Sequence, residues 1–271
     1  CIRLEWCTDC VVHHNWVHDV VDTTHHCNGE WAPREAGLKE FDCIRAIWEF
    51  NTIVDTAQWG YDLHRSSTDP VARYNLFRNA GPNVSIRMNR SGNISAYGNV
   101  VLGGGACVDF VAEDAGDGFA NVIDHNTCLF TGGGLYFNGF SPTTVTNNAF
   151  AGIGPGSADN VIVSASEPED GVPHVIDHNA YDDASRWSPA LYETYFETLA
   201  QWQASTDYDE HSIVAPGGAC TFADPPTDAT DLDFDLTIGA GPCAALGTDG
   251  AAVGACALTS CVGHDCAGCG F

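Results

Sequence analysis

Lysine is almost missing from this chain: Lys39 is the only one, and 10 basic residues face 36 acidic ones, for a formal net charge of −26. Nucleic acid and anionic membrane surfaces owe their affinity to cationic side chains that neutralise phosphate, so both drop out as partners. The same field repels polyanionic sugars unless a local basic patch or bound calcium reverses its sign. Read blandly, the acidity is an adaptation to solubility or high salt. Apolar runs of membrane-spanning length are also lacking, and helical periodicity is scarce before about residue 187. No signal peptide is visible, and the sequence opens without Met inside a strand pattern, which reads as a missing amino-terminal cap and leader. That pattern starts too promptly for Cys1 to read as a lipoprotein anchor.

Cysteine is plentiful, with thirteen residues. At that density, and with no apolar run to span a membrane, it points to an oxidising compartment and a secreted or cell-surface protein. Glycine is also frequent, and asparagine recurs on a period. Asn15, Asn51, Asn75, Asn99, Asn126, Asn148 and Asn179 each sit between two short apolar stretches, at spacings of 36, 24, 24, 27, 22 and 31 residues. Strand-rich repeats of this length predict a solenoid, in which each asparagine stands at a bend and bonds its equivalent about 4.8 Å away on the next turn. Asparagine suits a bend because it tolerates left-handed backbone.

Each rung should carry three strands. CIRAIWEF, ISAYG and FANVIDH precede the asparagine, TIVDT, LFRN and VVLGG follow it, and YDLHR, VSIRM, CVDFV, LYFNG and NVIVS form the third set. Residues 19 to 38 make an overlong loop. SPALYETYFETLAQWQAS predicts a helix with Ser188 as N-cap, Pro189 in its first turn, and Leu191, Tyr195, Leu199 and Trp202 on its packed face. The chain thus divides into rungs over 1–186, a cap and closing segment over 187–255, and a cysteine-rich tail over 256–271. In that tail Cys256, Cys261, Cys266 and Cys269 lie beside His264 at spacings that fit no zinc module closely, so disulfides are expected. The odd total leaves one thiol over.

With these phrases the chain resembles the right-handed parallel β-helix, or pectin-lyase-like, superfamily. TLAQWQASTDYDEHS followed by DLDFDLTIGAGPCAALGTDGAAVGA is similar to the closing segment of many bacterial secreted members. The resemblance reaches to about Ala255. It implies an all-β fold, a right-handed single-stranded parallel β-helix with a helical or irregular C-terminal cap, and a monomer. That superfamily hosts lyases, hydrolases, epimerases, esterases and silent adhesins, so the fold leaves the chemistry open.

The resemblance also implies an active groove along the strand after the longest loop. Alternation there turns Leu63 inward and Asp62 and His64 outward, and gives an expected column of His64, Arg87, Asp109 and Asn138, with Tyr136 beside it. Ser85 and Cys107 are expected to face outward as well. Arg65, Arg73, Arg78, Arg87 and Arg90, five of the ten basic residues, crowd into 26 positions, an island suited to a uronate carboxylate. In lyase or C5-epimerase chemistry Arg87 would neutralise that carboxylate, His64 would remove the C5 proton and Tyr136 would carry a second proton. Asp109, Asn138, Arg65 and Arg90 would hold substrate. Trp59-Gly60-Tyr61-Asp62-Leu63-His64 also resembles the Tyr-Gly-X-Asp-Pro-His motif of mannuronan C5-epimerases: Gly60, Asp62 and His64 match, while Trp59 and Leu63 depart from it. Asp62 would then be catalytic. Polygalacturonase elements reduce to Asp182-Asp183 and Gly263-His264-Asp265, which sets hydrolysis of that kind aside.

Cys7 and Cys10, with His13, His14, His18, His25, His26 and Cys27, offer a zinc alternative, but disulfides of Cys7 or Cys10 with Cys27 or Cys43 are the expectation. No metal is assigned. Calcium is a cofactor that acidic turns such as Glu113-Asp114-Ala115-Gly116-Asp117 would suit. The reading is a polysaccharide-active protein on acidic glycans, with a noncatalytic carbohydrate-binding or adhesion module as the alternative.

Overall fold

In the computed structural model the described residues are 1–20, 36–64, 67–80, 84–89, 92–111, 120–138, 142–151, 161–165, 172–181, 186–188, 195–214, 220, 222–224, 226–228, 234–238 and 242–255. Three parallel sheets of eight, seven and eight strands wrap one lumen. The first runs from Ile2–Glu5 through Ala36–Phe41, Trp59–His64, Val84–Asn89, Ala106–Val111 and Gly133–Asn138 to Arg186–Ser188. The chain visits the three sheets in turn and then steps to the next rung, so every strand pairs with its equivalent one turn away. The fold is a parallel β-helix.

Second-sheet strands such as Ile47–Glu49, Val71–Arg73 and Ser95–Tyr97 are only three residues long, and their middle residues, Trp48, Ala72 and Ala96, point into the lumen. Ile53, Phe77, Val101, Cys128, Phe150 and Tyr181 enter from the third sheet. Burial of these rows removes most of the apolar surface from water, at about 25 cal/mol per Å². A disulfide between Cys107 and Cys128 ties the first sheet to the third where their strands come within 6.0 Å (Cα–Cα). Cys107 therefore faces inward, and Ser85 at the same level is fully buried too.

All seven asparagines lie in one line. Each amide bonds the next: Asn51 Nδ2 donates to Asn75 Oδ1 (3.0 Å), Asn75 to Asn99 (3.0 Å), Asn99 to Asn126 (3.0 Å), and so on to Asn179. The second amide hydrogen goes to a backbone carbonyl one rung back, as from Asn99 to Ala72 (2.9 Å). The left-handed residue at the bend is the one before each asparagine: His14, Phe50, Tyr74, Gly98, His125, Asn147 and His178 all have φ between 51° and 63°. The asparagine serves as a hydrogen-bond hub and leaves the strained geometry to its neighbour. The ladder ends on Asp209 and Ser212, which receive the Asn179 Nδ2 (3.4 Å) and N–H (2.8 Å).

The predicted long helix is shorter than its pattern. It spans Leu199–Ser205 with Thr198 as N-cap, while Ser188 closes a buried strand and Phe196 forms an antiparallel bridge with Trp187. That bridge spends the backbone bonds a longer helix would need. Leu199 and Trp202 do form the packed face, joining the lumen cluster at its end. Cys220, Phe222, Phe234, Leu236, Cys243 and Val253 lie against the outer side of the third sheet, where Phe222, Phe234 and Leu236 cover Leu76, Val100, Leu102 and Leu129, and a Cys220–Cys243 disulfide joins two parts of this layer. The tail from 256, the interior of the long loop (21–35), Pro189, Leu191 and the acidic turn 113–117 lie outside the described residues.

Candidate functional site

The first sheet's strands break simple alternation. Gly37, Gly60, Ser85 and Cys107 share one level and turn inward, and the next residues, Leu38, Tyr61, Ile86 and Val108, are inward as well. Gly60 is required by this packing: a Cβ there would stand 2.5 Å from Phe77 Cδ1 and 2.6 Å from the Ser85 carbonyl oxygen. Its place in the epimerase-like motif thus has a structural cause.

After two inward residues the outward column is set at the following position. Register pairs Arg3 with Lys39, Lys39 with Asp62, Asp62 with Arg87, Arg87 with Asp109 and Asp109 with Tyr136. Neighbours are spaced by one rung, about 4.8 Å. Charges alternate from Lys39 to Asp109. Arg87 Nη1 lies 4.0 Å from Asp62 Oδ1, and its guanidinium sits 4.8 Å over the Trp59 ring, which joins Ala36, Val84 and Ala106 in a small apolar cluster. Tyr136 packs on this cluster with its phenol folded over Gly133, where a Cβ would collide with it. Burial pushes the Asp109 carboxyl up to about 6, partly opposed by Arg87.

Exposure grades along the column. Asp62 is 1% exposed and Lys39 9%, whereas Arg87, Asp109 and Tyr136 are half-buried. The accessible end therefore holds a cation, a carboxyl with its pKa near neutrality, and a phenol in consecutive order.

Arg87, Asp109, Tyr136 and Asp62 come together as one site. His64 and Asn138 do not share their column: register sets His64 beside Asn89, Asn89 beside Val111 and Val111 beside Asn138, two residues along the strands. Alternation leaves positions 62 and 64, or 136 and 138, equivalent, and only the register between strands, which one strand's pattern does not contain, chooses between them. The side chains of His64 and Asn138, and all of Arg65 and Arg90, lie outside the described residues. The arginine island disperses, because successive strands of a rung face different directions. Arg73 on the second sheet bonds Glu49 (2.7 Å) and the Tyr97 hydroxyl (2.8 Å), Arg78 is on the third sheet, and only Arg87 of these three is on the first.

Lys39 and Trp59 were not singled out by the sequence as members. Aligning GLKEF with GYDLH on their shared glycine would have revealed Lys39. At the amino-terminal end, Cys7 and Cys43 occupy one corner on adjacent rungs with sulfurs 2.7 Å apart, Cys10 is a third free thiol, and Cys1 is disulfide-bonded. Burial pushes the Cys7 and Cys43 thiols up. His25, His26 and Cys27 fall outside the described residues. Compared with known protein families, curated proteins and solved structures, the chain matches none of them.

Proposed function

We propose that this chain is an exported, polysaccharide-active protein that takes an acidic glycan along its first sheet and removes the C5 proton of a uronate, as a pectin-lyase-like lyase or C5-epimerase does. The reading rests on one observation: Arg87, Asp109 and Tyr136 stand in register on three consecutive rungs, with the Asp109 carboxyl pushed up to about 6. In this scheme Arg87 neutralises the substrate carboxylate and so acidifies the C5 proton. A carboxyl pushed up to about 6 is a competent base for that proton, and the phenol O–H can donate one, to the leaving O4 in elimination or to the opposite face of C5 in epimerisation. His64, two residues along its strand from Asp62, is the further candidate base. Export is supported by the Cys107–Cys128 and Cys220–Cys243 disulfides, and among the described residues no helix is long and apolar enough to cross a membrane. The burial of Asp62 and Lys39 favours the second reading, a noncatalytic carbohydrate-binding or adhesion surface.

Alginate, pectate and neutral glycans, each with and without calcium, separate the two when followed by ultraviolet absorbance of the unsaturated lyase product and by NMR for epimerisation. Turnover that falls about a hundredfold or more in Arg87→Ala and Asp109→Asn supports the enzyme. Loss in His64→Ala with full activity in Asp109→Asn would return the base to His64. Binding without turnover in the parent supports the adhesion reading.

A further inference from the structure

The end of the stack holds a second constellation, on different elements from the charged column. Asp177 closes the last strand of the second sheet, His178 follows it in left-handed backbone (φ 58°), and His211 comes from the segment after the helix. Their ligand atoms lie within 4.8 Å of one another. Asp177 Oδ2 is 2.7 Å from His211 Nδ1 and 3.3 Å from His178 Nδ1. The other carboxylate oxygen accepts the backbone N–H groups of His178 (2.8 Å) and His211 (2.7 Å), which fixes the carboxylate in place.

One atom in this group is unexplained by protein contacts alone. His178 Nδ1 is buried and makes no hydrogen bond. Two rungs earlier the same bend carries Asp124 and His125, and there the histidine Nδ1 closes on its own aspartate at 2.7 Å. At the last rung His211 has taken that oxygen, and the His178 nitrogen is left facing it. A buried nitrogen with no hydrogen-bond partner carries a desolvation cost that ligation of a cation would offset.

We propose that Asp177, His178 and His211 bind one divalent transition-metal ion of the zinc class, which ties the C-terminal cap to the last complete rung. Two imidazoles and one carboxylate suit zinc and its neighbours, whereas calcium demands oxygen ligands. In a tetrahedral site with bonds of about 2.0–2.1 Å, ligand atoms stand roughly 3.3 Å apart, close to the separations seen at Asp177. The two rings are stacked, 22° apart with centroids at 4.8 Å, so both nitrogens reach one ion when the His211 ring leaves its contact with Asp177 and turns about its Cβ–Cγ bond. Its side chain is 58% exposed, which gives it room to turn and leaves the fourth coordination position to water. Backbone donors on the second carboxylate oxygen do the orienting that outer-shell groups do in metal sites.

The test uses the full chain after dialysis against chelator. Zinc titration by calorimetry should show one equivalent more in the parent than in His178→Ala/His211→Ala, cobalt(II) should give tetrahedral-type visible bands in the parent alone, and zinc should raise the melting temperature of the parent only. The comparison by difference removes any zinc held by the amino-terminal cysteines and histidines. Far-UV circular dichroism checks the fold of the variant, and His211→Ala alone, which removes an exposed ring, repeats the test if the double variant misfolds. Equal stoichiometry and equal thermal response in parent and folded variant would overturn the site.

Discussion

Asn99→Ala is the sharpest perturbation of the stack, because every bond of the side chain is known. Asn99 is fully buried, and removing its amide deletes four hydrogen bonds: to the Ala72 oxygen (2.9 Å), to Asn126 Oδ1 (3.0 Å), and from the Asn75 N–H (3.1 Å) and Nδ2 (3.0 Å). Three of the four partners keep another bond. Asn126 Oδ1 still accepts the Asn99 backbone N–H (3.0 Å), and Asn75 Nδ2 still reaches the Trp48 oxygen (2.8 Å). The Ala72 carbonyl keeps the Tyr97 N–H of the sheet ladder, so the Asn75 N–H is the group left without a partner. At about 1–3 kcal/mol for an unsatisfied buried group, the expected loss is about 1–3 kcal/mol. Asn15→Ala is the internal control. Asn15 ends the ladder half-buried, and Asn51 Oδ1 keeps the Asn15 backbone N–H (3.1 Å), so its loss should stay below about 1 kcal/mol. Denaturant unfolding followed by far-UV circular dichroism measures both, the midpoint shift being converted at constant slope. A changed slope would report uncoupling of rungs, which a one-dimensional stack permits. Equal losses in the two variants would refute the argument that buried partner satisfaction, and not turn preference, explains the repeat.

Gly60→Ala should lose about 3 kcal/mol or more, since the new methyl meets Phe77, the Ser85 carbonyl and Ala80 within 2.8 Å; a melting temperature within a degree or two of the parent would refute the packing account. Mild oxidation by a small-molecule disulfide should join Cys7 to Cys43, with both thiol protons passing to the reduced reagent. Because burial raises both thiols, the reaction should quicken at alkaline pH, and a Cys7–Cys10 linkage in peptide mapping would contradict it. Asp109 is protonated more readily in the folded chain than in the unfolded one, so its contribution is greatest below about pH 4, declines as pH rises through about 6 and is constant above. The swing is at most about 3 kcal/mol, and Asp109→Asn should flatten that part of the stability profile, an unchanged slope counting against it.

The ladder and the three-strand cadence were legible in the sequence because each depends on residues near one another along a rung, and repetition exposes them. Asn15 through Asn179 needed only their spacing. The strands TIVDT, LFRN and VVLGG followed from apolar runs in the same way, and the structure turns their Ile53, Phe77 and Val101 into the lumen. Tertiary structure decided what local pattern could not. The doubled inward step at Gly60 and Tyr61 is visible only against Phe77 on another sheet, and at the same level it turned Ser85 and Cys107 inward, whereas the register between strands set Asp62 rather than His64 beside Arg87. The helix was cut to Leu199–Ser205 by a bridge between Phe196 and Trp187, a contact with no trace in helical periodicity. Neighbouring arginines parted onto separate faces because a rung turns through three directions in about two dozen residues. Asp177 and His211, 34 residues apart, met because the cap folds back on the last rung. Periodicity records which residues face a core, whereas a site depends on which strands lie side by side and at what register, and that is settled by packing across the lumen.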